Sequence, residues 1–154
     1  MIQNDVRRSL QAKLAALPAL AGVPVVSWLD PDRAEREYVA FGAQVRSRRS
    51  APAPVGGTVQ HRHYSWTLDV WVVTQLPGVT ADEAADRCAA LMDVVDDWFA
   101  ANWFVDAAAS WTGQLTEGEI VDPQFGPECE QVEMAGGLVW RAYGMFTLRF
   151  EAHT

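Results

Sequence analysis

The sequence is poor in the side chains that most often carry chemistry. It has 2 cysteines and 3 histidines in 154 residues. Cys88 and Cys129 are far apart and form no C-x-x-C motif, which fits a reducing compartment better than a disulfide scaffold. No apolar run reaches the length of about eighteen residues that a membrane helix needs, and no apolar signal segment follows Met1. These absences predict a soluble, cytosolic chain.

Signatures of known catalytic sites are also missing. The sequence contains no G-x-S-x-G, Walker, H-E-x-x-H or G-x-G-x-x-G motif. Serine, histidine and aspartate occur, but their spacing marks no triad, and neither cysteine has a nearby histidine signature. We therefore predict no catalytic residues and no cofactor, and we expect that the protein is not an enzyme.

Positive charge is scarce as well. The 12 Lys and Arg residues are outnumbered by 20 Asp and Glu, which gives a net charge of −8. This balance argues against a protein that binds the DNA backbone or an anionic membrane surface. It suits solubility, or a surface that DNA must pass without adhering. The chain is 49% hydrophobic, with 7 Trp and 6 Phe. Its length and composition predict a single domain, residues 1–154.

His61 and His63 are the only candidate metal ligands with suggestive spacing. They form H-x-H in TVQHRHYSWTLDVWVVT (58–74), and residues i and i+2 of a strand share a face. A third ligand is missing, because His153 is next to the chain end and Asp69 is roughly 20 Å along the strand from His63. The favoured interpretation is two exposed strand histidines near a hairpin tip. We predict no metal site.

Helical periodicity is clear in two segments. The first is 4–17, with Asn4 as a possible N-cap. The second runs from about 81 to 101 and begins with a T-x-x-E capping box formed by Thr80 and Glu83. One face of the second helix is acidic, with Asp82, Asp86, Asp93 and Asp97. That face is either solvated or the electronegative lining of a channel.

Strand periodicity follows a different order along the chain. Strands are predicted at 24–29, at 37–50, within 58–74, weakly around 119–121 and at 138–152. The segment 126–137 is interpreted as a loop or irregular edge. Because the strands occur in succession, we predict an α+β fold with a mostly antiparallel sheet and both helices packed on one face. The second and third strands would form a long hairpin with a flexible tip.

Two features are candidate interface sites. Arg46, Arg48 and Arg49 form a basic cluster in an acidic chain, beside the Pro- and Gly-rich segment APAPVGG (51–57). Such a cluster either keeps a hairpin soluble or docks on an acidic partner. Trp71 lies on the polar side of its strand, so it is the tryptophan most expected in an interface. We hypothesise that these four residues contact a partner or a neighbouring subunit.

The order of elements resembles that of tail terminator (tail completion) proteins of long-tailed bacteriophages. The resemblance covers nearly the whole chain. It rests on the opening helix DVRRSLQAKLAAL, the arginine-bearing strand and tip AQVRSRRSAPAPVGG, the strand YSWTLDVWVVT with the helix TADEAADRCAALMDVVDDWFA, and the closing strand RAYGMFTLRFEA. The connection at 113–137 matches no feature of the family.

The resemblance implies a structural protein of the virion, at the head-proximal end of the tail, that is assembled in the host cytoplasm. Its subunits would form a homo-hexameric ring that caps the tail tube, ends tube polymerisation and joins the tail to the head. The implied partners are the tail-tube protein and head–tail connector proteins, and DNA would pass through without specific binding. Two alternatives remain open: another head–tail connector or tail-tube subunit, and a small metal-dependent enzyme that uses His61 and His63.

Overall fold

The structure, a computed structural model, describes residues 2–50, 62–101 and 115–153. It contains two α-helices, one short 3-10 helix and five strands. In chain order they are α1 (Ile2–Ala15), the 3-10 helix (Pro18–Leu20), β1 (Val25–Val26), β2 (Glu37–Ser50), β3 (Arg62–Thr74), α2 (Ala81–Ala101), β4 (Leu115–Met134) and β5 (Gly137–His153).

The strands form one sheet in the order β1-β2-β3-β5-β4. The two-residue strand β1 is parallel to β2, and every other neighbouring pair is antiparallel. This arrangement confirms the predicted α+β class and the mostly antiparallel sheet. β1 is much shorter than the predicted strand at 24–29.

Both helices pack on the same face of the sheet, which we call the inner face. The alternation of β3 and β5 places one apolar set of side chains on that face. The core formed there contains Val6, Leu10 and Leu14 of α1, Ala84, Cys88, Leu91, Val95 and Phe99 of α2, and Val39, Phe41, Trp66, Leu68, Val70, Val72, Ala142, Phe146, Leu148 and Phe150 of the sheet. The prediction that both helices lie on one face is therefore confirmed.

The helix boundaries agree with the sequence prediction to different degrees. α2 has the predicted bounds, and the backbone N–H of Glu83 donates to Thr80 Oγ1 at 3.2 Å, which is one half of the capping box. α1 begins before Asn4, so the N-cap prediction is wrong. The backbone oxygen of Asn4 instead accepts a hydrogen bond from Arg8 Nε at 3.2 Å.

The long strand β4 decides between the two interpretations of 126–137, because the residues up to Met134 form an irregular edge strand and not a loop. β4 pairs with β5 from Leu115↔Ala152 to Met134↔Gly137, with irregular register around Phe125. Pro127 lies within this strand, although proline cannot donate to a strand ladder. β4 is the edge of the described sheet, where a missing N–H on the outward side removes no ladder bond.

β2 and β3 form the predicted long hairpin, paired as far as Ser50↔Arg62. Its predicted flexible tip lies outside the described residues. The register shifts between Phe41 and Gln44, which marks a β-bulge. Before the bulge Val39 and Phe41 are buried in the core, whereas Val45 after it is 65% exposed. None of the described helices is long and apolar enough to span a membrane.

Candidate interaction surface

Three aromatic side chains meet on the outer face of the sheet, the face opposite the helices. They are Trp71 of β3, Phe125 of β4 and Tyr143 of β5, which we call the aromatic cluster. The ring centroid of Trp71 lies 6.3 Å from that of Phe125 and 6.2 Å from that of Tyr143. The centroids of Phe125 and Tyr143 are 6.2 Å apart, with nearly parallel planes. Such spacings are those of interacting aromatic pairs.

Glycines make room for the aromatic cluster. An ideal Cβ on Gly42 would lie 2.7 Å from Trp71 Nε1, so only a glycine in the bulge of β2 lets the indole lie over that strand. Gly126 follows Phe125 and has a φ of 85°, a conformation that residues with side chains rarely adopt. Its ideal Cβ would lie 2.6 Å from the carbonyl oxygen of Tyr143. Gly42 and Gly126 thus allow the backbone to approach the aromatic cluster this closely.

The aromatic cluster is partly open to solvent. Phe125 is 39% exposed, and Trp71 and Tyr143 are half-buried. Next to them, Leu29, Pro31 and Arg141 help to line a shallow cavity of about 130 Å³. Beneath it lies the small apolar cluster that contains Tyr38, Ala40 and Val73. The outer face therefore offers an apolar, concave surface with a polar rim.

The rim of this surface is held by one buried glutamine. Gln75 is 1% exposed, and its Nε2 donates to the carbonyl oxygens of Arg33 (2.7 Å) and Glu35 (2.6 Å). Its Oε1 accepts a hydrogen bond from Arg141 Nε at 2.9 Å. Arg141 also donates through Nη2 to the carbonyl oxygen of Pro31 at 2.8 Å. These bonds fix residues 31–35 against the ends of β3 and β5.

Burial shifts the pKa of three groups on the outer face, Tyr38, Tyr143 and Asp69, toward their neutral forms. Burial raises the pKa of both Tyr38 and Tyr143 above the ordinary value, so neither phenol ionises near neutral pH. Burial also raises the pKa of Asp69, and the smaller opposing effect is its hydrogen bond with Thr147 at 3.2 Å.

The structure separates the predicted interface residues into two places. Arg46, Arg48 and Arg49 occupy β2 positions opposite Trp66, Tyr64 and His63 of β3. Trp71 is opposite Ala40, six residues before Arg46, which corresponds to roughly 20 Å along a strand. The arginines therefore do not join Trp71 in one site. Phe125 and Tyr143 were missed from sequence, because only the strand register brings them beside Trp71.

The predicted H-x-H pair is only partly described. His63 lies on β3, where it is opposite Arg49 on one side and His153 on the other. No pattern in the sequence indicated that His153 would be its cross-strand neighbour. His61 lies outside the described residues. Within residues 2–50, 62–101 and 115–153, no group of three or more His, Cys, Asp or Glu side chains is placed to hold a metal ion.

We expect the two thiols to differ strongly in reactivity. Cys88 is fully buried with Sγ 3.6 Å from the carbonyl oxygen of Val72, and burial raises its pKa to about 12. At pH 8 the Cys88 thiol is therefore almost wholly protonated, and the thiolate is the reactive form. Cys129 is half-buried, and burial raises its pKa less strongly. Labelling with a disulfide reagent at pH 8 should modify Cys129 slowly, and Cys88 only after urea is added. Rapid modification of Cys88 in the native protein would contradict this placement.

Comparison with known proteins gives no family assignment. A scan against protein-family models finds no match to this chain, and a search of curated proteins finds no matching relative. Function is therefore inferred from the residues and their arrangement.

Proposed function

We propose that this protein is a structural subunit of a bacteriophage tail that forms a hexameric ring, caps the tail tube and joins it to the head. The observation that supports the proposal is the aromatic cluster of Trp71, Phe125 and Tyr143 on a sheet face that neither α1 nor α2 covers. Aromatic residues in a shallow pocket are typical anchors of protein–protein interfaces. We assign this surface to contact with the tail-tube protein.

The negative charge on the surface of α2 suits a ring through which DNA passes. Its exposed acidic residues are Asp82, Glu83, Asp86, Asp93 and Asp97. The only basic residue of this helix is Arg87, whose guanidinium is bound to the carboxylate of Glu37 at 2.7 and 3.0 Å. If α2 faces the lumen, like charge keeps DNA from adhering to the wall. No cofactor and no catalytic residue are needed for this role, and the partners are the tube and the head–tail connector proteins.

Three alternatives differ from this proposal in what they would assemble or bind. A tail-tube subunit has a related task but stacks without limit, whereas a terminator stops at a closed ring. A head–tail connector would also form a ring, but it would not end tube growth. A metal-dependent enzyme built on His61 and His63 would hold a stoichiometric ion.

Native mass spectrometry and negative-stain electron microscopy across a concentration series test the proposal. The expected result is a discrete hexamer without metal that appears as closed rings. Open filaments would favour a tube subunit. A monomer with one bound transition-metal ion would favour the enzyme. A monomer without metal at every concentration up to the solubility limit would contradict a self-assembling ring.

We expect Trp71→Ala to weaken tube capping by about 30-fold or more, the effect of losing an interface hot spot. The measurement is the concentration of protein that halves the mean length of tubes grown from the tail-tube protein of the same phage. The hexamer itself should persist in native mass spectra. Trp28→Ala is the matched control, because Trp28 is 56% exposed, stacks only on Arg7 among the described contacts and is not in the cluster. Equal capping by the wild type and Trp71→Ala would exclude the cluster as the tube contact.

A further inference from the structure

The described sheet ends in two open edges. β1 pairs with β2 only at Val39 and Ala40, and no described strand pairs with that side of β2 at 42–50. On the opposite edge of the sheet, no described strand pairs with the outer side of β4. Open edges present unpaired N–H and C=O groups that readily accept another strand. Within the described part of the chain, each subunit therefore offers one edge to a neighbour on each side.

The strand register shows that the two open stretches lie at the same height in the sheet. Residues of β2, β3, β5 and β4 that follow one another across the sheet form rows. Three such rows are Val45–Thr67–Arg149–Glu119, Arg46–Trp66–Phe150–Gly118 and Arg48–Tyr64–Ala152–Leu115. Segment 42–50 of β2 is thus level with segment 115–122 of β4. β1 covers β2 only at a different height, level with Gly144 of β5.

The strand directions also fit a join between copies. β2, β3, β5 and β4 alternate in direction, so β2 and β4 run in opposite directions. A second copy placed beyond β2 in the same orientation presents its β4 antiparallel to β2. No copy needs to be inverted. Each copy presents its β2 edge to one neighbour and its β4 edge to the other. Such head-to-tail contacts close into a ring when the rotation between copies permits.

The two open stretches carry opposite charge. Segment 42–50 contains Arg46, Arg48 and Arg49 and no acidic residue. Segment 115–122 contains Glu117, Glu119 and Asp122 and no basic residue. Opposite charges on adjacent strands stabilise a sheet, and like charges directly opposite each other destabilise it. The charge pattern therefore favours the pairing of β2 with β4 and disfavours β2 with β2 or β4 with β4.

We infer that the open edge of β2 in one copy pairs with the open edge of β4 in the next copy, so that one continuous sheet runs around the ring. This inference rests on the proposed ring and specifies the surface that closes it. At this register the β2 stretch around Arg46 and Arg48 of one subunit lies level with the 115–118 stretch of β4 in the next, and Glu117 and Asp122 give that edge its negative charge. The aromatic cluster takes no part in this join, and it stays available for the tube.

A charge exchange tests the join. The first variant is Arg46→Glu with Arg48→Glu, and the second is Glu117→Lys with Asp122→Lys. Glu119 is left unchanged, because it already binds Arg149 within the chain. Each variant alone places like charges at every join. The protein concentration at which half of the subunits are in rings should therefore be about 100-fold higher or more than for the wild type. In an equal mixture every join between unlike copies has opposite charges. Native mass spectrometry should then show hexamers with equal numbers of the two variants.

Two controls distinguish loss of the join from misfolding of the variants. A chain with all four substitutions restores opposite charge at every join and should form rings by itself. Arg8→Glu, at an exposed ion pair with Asp5 on α1, should leave the ring intact. If wild-type protein forms rings and each variant alone also does, the edge join is wrong and the ring proposal stands. If the mixture and the four-substitution chain both fail, the join is wrong as well. If wild-type protein forms no ring, the proposed function itself fails.

Discussion

Phe146→Ala is expected to lower the free energy of unfolding by about 3–5 kcal/mol, the usual cost of truncating a buried phenylalanine. Phe146 is fully buried between the sheet and α2, and its ring packs edge-on against that of Phe99, with centroids 6.3 Å apart. The truncation leaves a cavity that neighbouring strands cannot close. Urea unfolding followed by tryptophan fluorescence measures the loss.

Leu138→Ala is the matched control for this prediction. Leu138 lies on the same strand, β5, but it is 68% exposed near the turn between β4 and β5. Its truncation should change the free energy of unfolding by no more than about 0.5 kcal/mol. A loss below about 1 kcal/mol for Phe146→Ala would show that α2 does not pack on β5 at this position.

Gln75→Leu is expected to cost about 2–4 kcal/mol, because each buried polar group left without a partner costs about 1–3 kcal/mol. The substitution leaves the carbonyl oxygens of Arg33 and Glu35 and the Nε of Arg141 without the amide that now binds them. Urea unfolding measures the cost. Hydrogen exchange should also show faster exchange in residues 30–36, which Gln75 fixes to the sheet.

Two further variants separate the hydrogen bonds of Gln75 from its volume. Gln75→Glu keeps an oxygen for Arg141 but turns a carboxylate oxygen toward two carbonyl oxygens. It should therefore destabilise the protein nearly as much as Gln75→Leu at neutral pH. Gln131→Ala, at an exposed position of β4, should have little effect. Unchanged exchange in residues 30–36 of Gln75→Leu would contradict the role of this side chain.

The elements that the sequence predicted well are those with a strong internal pattern. α2 has an apolar stripe and a capping residue, Thr80, that both depend on local sequence. β3 and β5 alternate with period two because one face is packed by helices and the other is not. These patterns also fixed the fold class and the placement of both helices on one face.

The features that the sequence did not predict depend on contacts between distant segments. β4 has no clear alternation, and it is a strand because β5 supplies hydrogen-bond partners along its length. Trp71 was predicted as an interface residue from the alternation of its own strand. Phe125 and Tyr143 join it only through the β4–β5 and β3–β5 registers. Gln75 was likewise missed, because its hydrogen-bond partners, Arg33, Glu35 and Arg141, are all distant from it in the sequence.

The position of β3 in the centre of the sheet affects how this chain must fold during synthesis. β3 pairs on one side with β2, which precedes it, and on the other with β5, the last strand. The ribosome therefore releases β2 and β3 long before β5 exists, and one edge of β3 waits without its partner. Pairing between distant segments is slow, and an unpaired apolar strand is prone to aggregate. The centre of the sheet is completed only after β5 has been translated, so β3 can pair with β2 before it can pair with β5.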